Sequence, residues 1–203
     1  GAFEFIQKPF STERLLNFVK RALENAELKK EKNLLEDKLF HSYDIIGESP
    51  CLQKVRSLIT KLANTESRVF ITGPTGSGKE LVARQVHKKS LRSKKRFIVV
   101  NGALLDPEKY ELELFGSENS NGTITYGLLE NAMGGTLLID EITEIPLTTQ
   151  AKILRVLIDQ KFKRVNGVKE INVNVRILST SSKDIRNEVE KGNFREDLYH
   201  RLN

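Results

Sequence analysis

One segment of the sequence constrains the fold more than any other, because an apolar run, a glycine-rich loop and a helical stretch follow one another directly. Residues 68–72 (RVFIT) are typical of a buried strand, and residues 73–80 (GPTGSGKE) follow them as the loop. Glycines let backbone N–H groups turn toward a phosphate, the next helix adds its positive dipole end, and Lys79 supplies charge for the terminal phosphates. The segment predicts a P-loop that binds ATP. The expected nucleotide-binding residues are Gly73, Pro74, Thr75, Gly76, Ser77, Gly78, Lys79 and Glu80.

Length and cysteine usage narrow the class of protein. A chain of 203 residues can bury a sizeable core, and we expect one domain plus a fragment or linker. The single cysteine, Cys51, excludes an intramolecular disulfide and a cysteine-rich zinc site, and it is typical of a reducing compartment. No apolar run approaches the roughly 20 residues of a membrane span, so we expect a cytoplasmic protein with no membrane contact. Gly1 is not methionine and Asn203 follows a helical pattern without a stop signal, so we expect both ends to lie within a longer protein.

The net charge of +6 leaves two interpretations of the basic stretch at residues 84–96 (RQVHKKSLRSKKR). It could be a solvated helix face or a surface that contacts nucleic acid. The stretch contains no aromatic residue that could stack on a base, which favours the solvated face.

Four short apolar runs predict a parallel sheet. Nearly continuous apolar strands that alternate with helical stretches are typical of α/β domains, in which both faces of the sheet are covered. We therefore expect an α/β fold with helices flanking a parallel sheet. The four runs are residues 68–72 (RVFIT), 97–100 (FIVV), 136–139 (TLLI) and 173–179 (VNVRILS).

A second acidic motif complements the P-loop. Many P-loops place a Ser or Thr hydroxyl after the lysine to bind magnesium, but here that residue is Glu80. The strand at residues 136–139 ends in Asp140 and Glu141, which predicts Asp140 as the Mg²⁺ ligand and Glu141 as the group near an attacking water. Standing alone, the acidic pair would be read as the start of a surface turn. Its occurrence downstream of a P-loop favours a Walker B strand.

The first 43 residues have a different pattern. Residues 1–10 resemble a short strand that ends at a proline, and a helix is predicted from Ser11, a good N-cap. Residues 27–40 continue with Lys, Glu, Asn and Leu, and leucines recur at spacings of seven and four. Two interpretations remain open for this continuation, a short dimeric coiled coil or a solvated single helix.

Several motifs occur together in one order that resembles a known family. They are residues 73–80, 113–116 (ELFG), 136–141, 150–157 (QAKILRVL) and 194–199 (FREDLY). Over the whole chain the sequence resembles NtrC-like response regulators, bacterial enhancer-binding proteins with an AAA+ ATPase domain, and it is most similar to the NtrX subgroup. In that family a glutamate follows the P-loop lysine, as Glu80 does here.

The resemblance implies a three-layer AAA+ P-loop core preceded by parts of two other segments. Residues 1–26 would be the last strand and helix of a flavodoxin-like receiver domain, in which Lys8 and Pro9 resemble the lysine and proline that accompany the phosphorylated aspartate. Residues 27–43 would be the linker helix. Residues 44–203 would be the α/β part of the AAA+ domain, without the helical lid and without the DNA-binding domain.

The resemblance also assigns roles to four residues that residue chemistry alone does not. Arg195 and Arg201 would be arginine fingers that act on ATP held by a neighbouring subunit; alone they would be read as surface charges on a helix. Asn101 would hold the catalytic Glu141, although a polar cap at a strand end is an equal alternative. Ser182 stands where the family has the sensor I asparagine, and a serine reaches less far toward the γ-phosphate.

The interval between the ELFG motif and the Walker B strand departs from the family. Activators of the σ54 polymerase carry a GAFTGA loop there, but residues 117–126 (SENSNGTITY) lack this motif. By the resemblance, this interval is also about four residues shorter than in the family. The resemblance therefore implies a transcription regulator of an NtrY/NtrX-like two-component phosphorelay in which ATP binding is coupled to assembly. The alternative is an active AAA+ ATPase that remodels σ54 polymerase, and a metabolic P-loop kinase is opposed because no acceptor pocket can be identified.

The family also implies the partners. They are further copies of the chain, in a dimer through the receiver and linker or in a hexameric ring, together with a sensor histidine kinase. DNA would be contacted through a C-terminal domain outside this sequence, and RNA polymerase is the partner in the alternative reading.

Overall fold

The computed structural model describes residues 16, 17, 19–27 and 43–202, and the chain divides into two units at residues 44 and 45. In the first unit, residues 16, 17 and 19–27 are helical, within the helix predicted from Ser11. The predicted receiver strand at residues 1–10 and the linker helix between residues 28 and 42 lie outside the described residues.

The second unit is built on a parallel sheet of four strands, which confirms the predicted α/β class. In the described residues the strand order is β1-β8-β5-β2, and each neighbouring pair is parallel. All carboxyl ends of the strands therefore lie at one edge of the sheet, where ligand sites of α/β proteins form. The strands are β1 (Val69–Thr72), β2 (Phe97–Asn101), β5 (Thr136–Asp140) and β8 (Arg176–Ser181).

Helices cover both faces of this sheet. The first long helix starts at Pro50, and its N-cap Ser49 accepts a hydrogen bond from the N–H of Leu52 at 3.3 Å. The helices are α1 (Pro50–Ala63), α2 (Lys79–Lys88), α3 (Tyr110–Phe115), α4 (Leu128–Asn131), α5 (Leu147–Asp159), α6 (Ile185–Glu190) and α7 (Glu196–Leu202), with a 3₁₀ turn at Ile142–Glu144.

Two apolar clusters form the core, one on each face. On one face Leu138 and Leu178 pack with Val86 of α2 and Ile59 of α1. On the other face Leu137 and its neighbours pack against α5 and α7. Because successive residues of a strand point to opposite faces, Leu137 and Leu138 serve different clusters, and the predicted three-layer core is confirmed.

Two antiparallel hairpins were not predicted, because their strands are short and mostly polar. One pairs β3 (Ser117–Glu118) with β4 (Ile124–Thr125) in the interval that lacks GAFTGA, and the other pairs β6 (Lys161–Lys163) with β7 (Glu170–Asn172).

The last sheet strand starts later than predicted, at Arg176 rather than at residue 173. The N–H of Val173 donates to the carbonyl of Gln160 at 2.8 Å, so this residue extends the second hairpin instead of the sheet.

The basic stretch at residues 84–96 is less solvated than expected. His87 is buried, and Arg84 pairs with Glu80 and lies 5.0 Å from the ring centre of Phe97. Within the part of the chain that the structure describes, no helix is both long and apolar enough to cross a membrane.

Candidate nucleotide-binding site

The P-loop lies between the carboxyl end of β1 and the first turn of α2. Gly76 and Gly78 have φ angles of 77° and 87°, which L-residues with side chains rarely adopt. The N–H of Gly73 donates to the carbonyl of Ser181 at 3.2 Å, which ties the loop to the end of β8. Gly78 is the N-cap of α2, so the positive end of that helix faces the loop. This is the geometry of a phosphate cradle.

Lys79 is held inside this loop. Its side chain is only 7% exposed, and Nζ donates to the carbonyls of Gly73 and Pro74 at 3.0 and 3.2 Å. The same nitrogen lies 3.2 Å from Oε1 of Glu141. The predicted lysine and the predicted catalytic glutamate are therefore in direct contact.

Asp140 ends the central strand β5 with both carboxylate oxygens engaged. Nδ2 of Asn101 donates to Oδ2 at 2.9 Å, and the hydroxyl of Thr180 donates to Oδ1 at 2.6 Å. Asn101 was expected to hold Glu141, and this contact was predicted wrongly. In the β2–β5 register Asn101 lies opposite Asp140, so its amide reaches that carboxylate instead.

Glu141 has an unusual backbone and a fixed carboxylate. Its φ and ψ are 53° and 55°, a left-handed conformation that is uncommon for a residue other than glycine. Its N–H donates to Oγ1 of Thr180 at 2.9 Å, which supports that turn. Both the N–H and the hydroxyl of Ser182 donate to Oε2, at 2.7 and 2.8 Å. Ser182, which stands at the sensor I position of the family, here holds the carboxylate of Glu141.

These contacts set the charge of Glu141. Burial acts to raise its pKa, but the hydrogen bonds from Ser182 and the hydrogen bond and charge of Lys79 outweigh burial, so the pKa lies below its ordinary value. The carboxylate is therefore ionised and already satisfied by its neighbours.

Glu80 forms an ion pair within its own helix. Its carboxylate oxygen Oε1 accepts from Nε of Arg84 at 2.7 Å, one helical turn further along α2. Many P-loops have a Ser or Thr hydroxyl at the position of Glu80. Here the carboxylate at that position is paired with Arg84 of the same helix.

The two predicted arginine fingers lie on and beside α7. Arg195 donates from Nε and Nη2 to the two carboxylate oxygens of Asp197, at 3.0 and 2.7 Å, and its side chain is 40% exposed. Arg201 is exposed and lies near enough to Arg68 to lower the pKa of that residue, although burial is the larger cause. Arg68 precedes β1, so Arg201 lies toward the end of the sheet opposite to the P-loop.

Sequence reasoning did not assign a role to Thr180 or to Gln150. Thr180 contacts both Asp140 and the backbone of Glu141 from the end of β8; a polar residue at the end of a predicted strand was the available signal. Gln150 is fully buried, donates to the carbonyls of Ile145 and Asn193 at 2.7 and 3.1 Å, and accepts from the N–H of Arg195 at 2.9 Å. It fixes the backbone that carries Arg195.

The acidic pair has the donor chemistry that Mg²⁺ prefers. Magnesium sites with ATP use one or two carboxylates, with phosphate oxygens and water completing the octahedron. The carboxylate of Asp140 is held in place from both sides by Asn101 and Thr180, and each oxygen retains a lone pair. The described residues contain no group of three or more His, Cys, Asp or Glu side chains that could hold a metal alone.

A parallel sheet with a P-loop after β1 and an acidic pair at the end of β5 defines an AAA+ type P-loop fold. Residues 45–203 match the family model described as the sigma-54 interaction domain. The chain belongs to this sigma-54 interaction domain family, which confirms the predicted resemblance.

Individual relatives support the same assignment. The chain is 43% identical to the nitrogen assimilation regulatory protein NtrX of Azorhizobium caulinodans and 40% identical to the DNA-binding transcriptional regulator NtrC of Escherichia coli K12; each match covers the whole chain and 44% of the relative. It also matches the crystal structure of NtrX from Brucella abortus in complex with ATP, with a TM-score of 0.80 and 44% identity, over the whole chain and 43% of that chain. The chain thus spans less than half the length of these relatives.

Proposed function

We propose that this chain is the ATP-binding module of a transcription regulator in an NtrY/NtrX-like two-component phosphorelay, and that it uses ATP with Mg²⁺ mainly as a ligand that promotes assembly. The proposal rests on the contacts and the protonation state of the Glu141 carboxylate. Its carboxylate accepts two hydrogen bonds from Ser182 and pairs with Lys79, and its pKa is lowered. A carboxylate held in this way is a weak base toward water.

ATP binding itself is supported by the loop. Glycines at positive φ, the N-terminus of α2 and a buried lysine converge on one point at the carboxyl edge of the sheet. Bound ATP would take over Lys79, and Asp140 would hold Mg²⁺ together with phosphate oxygens. ATP binding is also supported by a relative, since NtrX from Brucella abortus, which is 44% identical to this chain, has been crystallised in complex with ATP.

Coupling of ATP to assembly is supported by the arginines. Arg201 lies toward the opposite end of the sheet from the P-loop of its own chain, and a four-residue strand spans about 13 Å. Arg201 would therefore act on the nucleotide of a neighbouring subunit, and by the family resemblance Arg195 would do the same. A ligand that binds only the assembled form stabilises that form by mass action, whether or not it is hydrolysed. Partners outside the chain would be a sensor histidine kinase and, through a separate C-terminal domain, DNA, in the cytoplasm.

A second function is favoured by a specific observation. Lys79, Asp140, Glu141, Arg195 and Arg201 are all present, and the family is named for its interaction with sigma-54. This would be a motor that hydrolyses ATP to remodel σ54 polymerase. The hairpin of β3 and β4 opposes it, because residues 117–126 contain no GAFTGA motif for that contact.

Steady-state ATPase assays on the full-length regulator, over a range of protein concentrations, separate the two functions. We expect wild type to bind ATP with slow turnover, and Glu141→Gln and Arg195→Ala to retain binding. Fast turnover that rises cooperatively with protein concentration and is abolished by both substitutions would overturn the binding-module proposal.

A further inference from the structure

A cavity at the amino-terminal end of the sheet collects arginines from three separate elements. It has a volume of about 370 Å³ and lies opposite to the P-loop edge, where β1 and β8 begin. Arg68, Arg92 and Arg176 line it, and Glu66 is the one carboxylate among the described lining residues. The lining therefore carries an excess of positive charge.

Arg176 is the most buried of the three arginines. Its side chain belongs to a residue that is 3% exposed, at the first position of β8. Nε donates to the carbonyl of Ser67 at 3.2 Å and Nη2 donates to the carbonyl of Leu62 at 2.7 Å. Among the described residues, Nη1 has no hydrogen-bond partner although it is buried. Because Nη1 is not exposed to the cavity, Arg176 contributes its positive charge to the site and not a free donor.

Arg68 contributes a second guanidinium with spare donors. Its Nη2 donates to the carbonyl of Leu157 at 2.5 Å, and its carboxylate neighbours in the cavity are limited to Glu66. Burial and then the charge of Arg201 lower the pKa of Arg68. Arg68 and Arg201 therefore repel each other.

Arg92 claims the single carboxylate. Its Nε donates to Oε2 of Glu66 at 2.8 Å, and its other nitrogens donate to Asn174 and to the carbonyl of Gly135. The pKa of Arg176 is lowered by burial first, and Arg92 lowers it further while Glu66 opposes this. One carboxylate therefore serves several guanidinium groups.

The other large cavity is a weaker candidate for an anion. It has a volume of about 720 Å³ and lies between α5 and the hairpin of β6 and β7. Its cations are mostly paired, since Arg164 binds both oxygens of Glu130 and Lys152 contacts Glu111 at 2.6 Å. Both linings are positively charged, but only in the smaller cavity do all the described lining cations belong to guanidinium groups.

We propose that the cavity lined by Arg68, Arg92 and Arg176 is a second anion site, separate from the P-loop, that binds a small phosphate group. Planar guanidinium groups match the tetrahedral oxygens of phosphate through paired N–H donors. A cavity of about 370 Å³ accommodates inorganic phosphate or a phosphate monoester. The anion would offset the repulsion among the arginines. The site does not depend on whether the P-loop binds ATP.

Isothermal titration with inorganic phosphate tests this site in the full chain carrying Lys79→Ala, which removes the P-loop lysine. In that background, Arg68→Gln is expected to weaken phosphate binding by about tenfold, the effect of one charge-assisted hydrogen-bond pair. The matched control is Arg155→Gln, an exposed arginine of α5 outside this cavity, which should leave affinity within about twofold.

Glu66→Gln provides a test that unfolding cannot imitate. Removing the one carboxylate frees Arg92, so phosphate affinity should rise by about threefold or more. Absence of phosphate binding, equal losses in Arg68→Gln and Arg155→Gln, or an unchanged affinity in Glu66→Gln would each overturn the proposal.

A second titration distinguishes a free phosphate ion from a phosphate group on a peptide as the ligand. We expect a tripeptide with a central phosphoserine to bind no more than about threefold more tightly than inorganic phosphate, since the cavity cations contact only the phosphate group. Binding of the peptide more than about tenfold tighter would overturn a free small anion as the ligand.

Discussion

Nζ of Lys79 lies 3.2 Å from Oε1 of Glu141, so the two side chains predicted to act at the terminal phosphate neutralise each other in this structure. Because both are largely buried, neither is screened by solvent as a surface pair would be. A nucleotide phosphate would therefore compete with Glu141 for the lysine. ATP binding would be coupled to release of the glutamate through this one contact.

Replacing the lysine tests the phosphate cradle. Lys79→Ala should weaken ATP binding by about 100-fold or more, because it removes the one ammonium that the loop holds and leaves Glu141 unpaired. Lys163→Ala, an exposed lysine of β6, is the matched control and should bind ATP as wild type does. Fluorescent-nucleotide titration measures both. Equal affinities in the two variants would contradict the P-loop assignment.

Replacing the glutamate should have the opposite effect on affinity. Glu141→Gln removes the charge that competes for Lys79, so ATP should bind about threefold to tenfold more tightly while any turnover is lost. Glu144→Gln, which breaks an ion pair with Lys183 on the surface, is the control and should change neither quantity. A loss of ATP binding in Glu141→Gln would show that the carboxylate has a structural role instead.

Thr180 is predicted to position both acidic residues. Thr180→Val keeps the shape but removes the donor to Asp140 and the acceptor for the N–H of Glu141. We expect about 1–3 kcal/mol lower free energy of unfolding and weaker Mg²⁺-dependent ATP binding. Thr180→Ser retains the hydroxyl and should restore the Mg²⁺ dependence; if it does not, the methyl group rather than the hydrogen bonds is what matters.

Gln150 is predicted to hold the backbone at Arg195. Gln150→Leu leaves three backbone groups without their side-chain partner, at Ile145, Asn193 and Arg195, and should lower the free energy of unfolding by about 2–4 kcal/mol. Gln53→Leu, on the exposed face of α1, should cost less than about 0.5 kcal/mol. Urea unfolding measures both values. Similar costs would contradict the bridging role.

His87 predicts a pH dependence of stability. Burial, the largest cause, lowers its pKa from 6.5 to about 4, and the charges of Arg176 and Arg84 act in the same direction. The unfolded chain then binds more protons between these values, so stability is complete above about pH 6.5 and falls as the pH approaches 4, by about 2 kcal/mol. The substitution His87→Gln can keep the bond to Thr136 without titrating and should flatten this part of the curve. An unchanged slope would assign the dependence to other groups.

The P-loop, the four sheet strands and the acidic pair could be predicted because each is a local pattern of a few residues. Glycine spacing, apolar runs and the position of Asp140 after a strand all depend on neighbours in sequence. The hairpins could not be predicted, since Ser117–Glu118 and Lys161–Lys163 lack apolar alternation and form only where two turns bring them together.

The contacts within the site depend on strand order and register, which local patterns do not contain. β8 inserts between β1 and β5, and this places Thr180 beside Asp140 and Ser182 beside Glu141. The predicted partner of Asn101 was wrong by one residue for the same reason. The register places Asn101 opposite Asp140, and not opposite Glu141. In a pleated sheet a shift of one residue moves a side chain to the other face.

Asp197 neutralises the guanidinium of Arg195 within its own subunit. This guanidinium is the group that would contact ATP bound to a neighbouring subunit. A triphosphate on another subunit would have to displace this carboxylate, so joining two subunits is an exchange of one anion for another. Such an exchange favours the anion with the higher negative charge. ATP would therefore stabilise the contact between two subunits more than ADP does. Competition from Asp197 would in this way disfavour the association of subunits when ADP is bound.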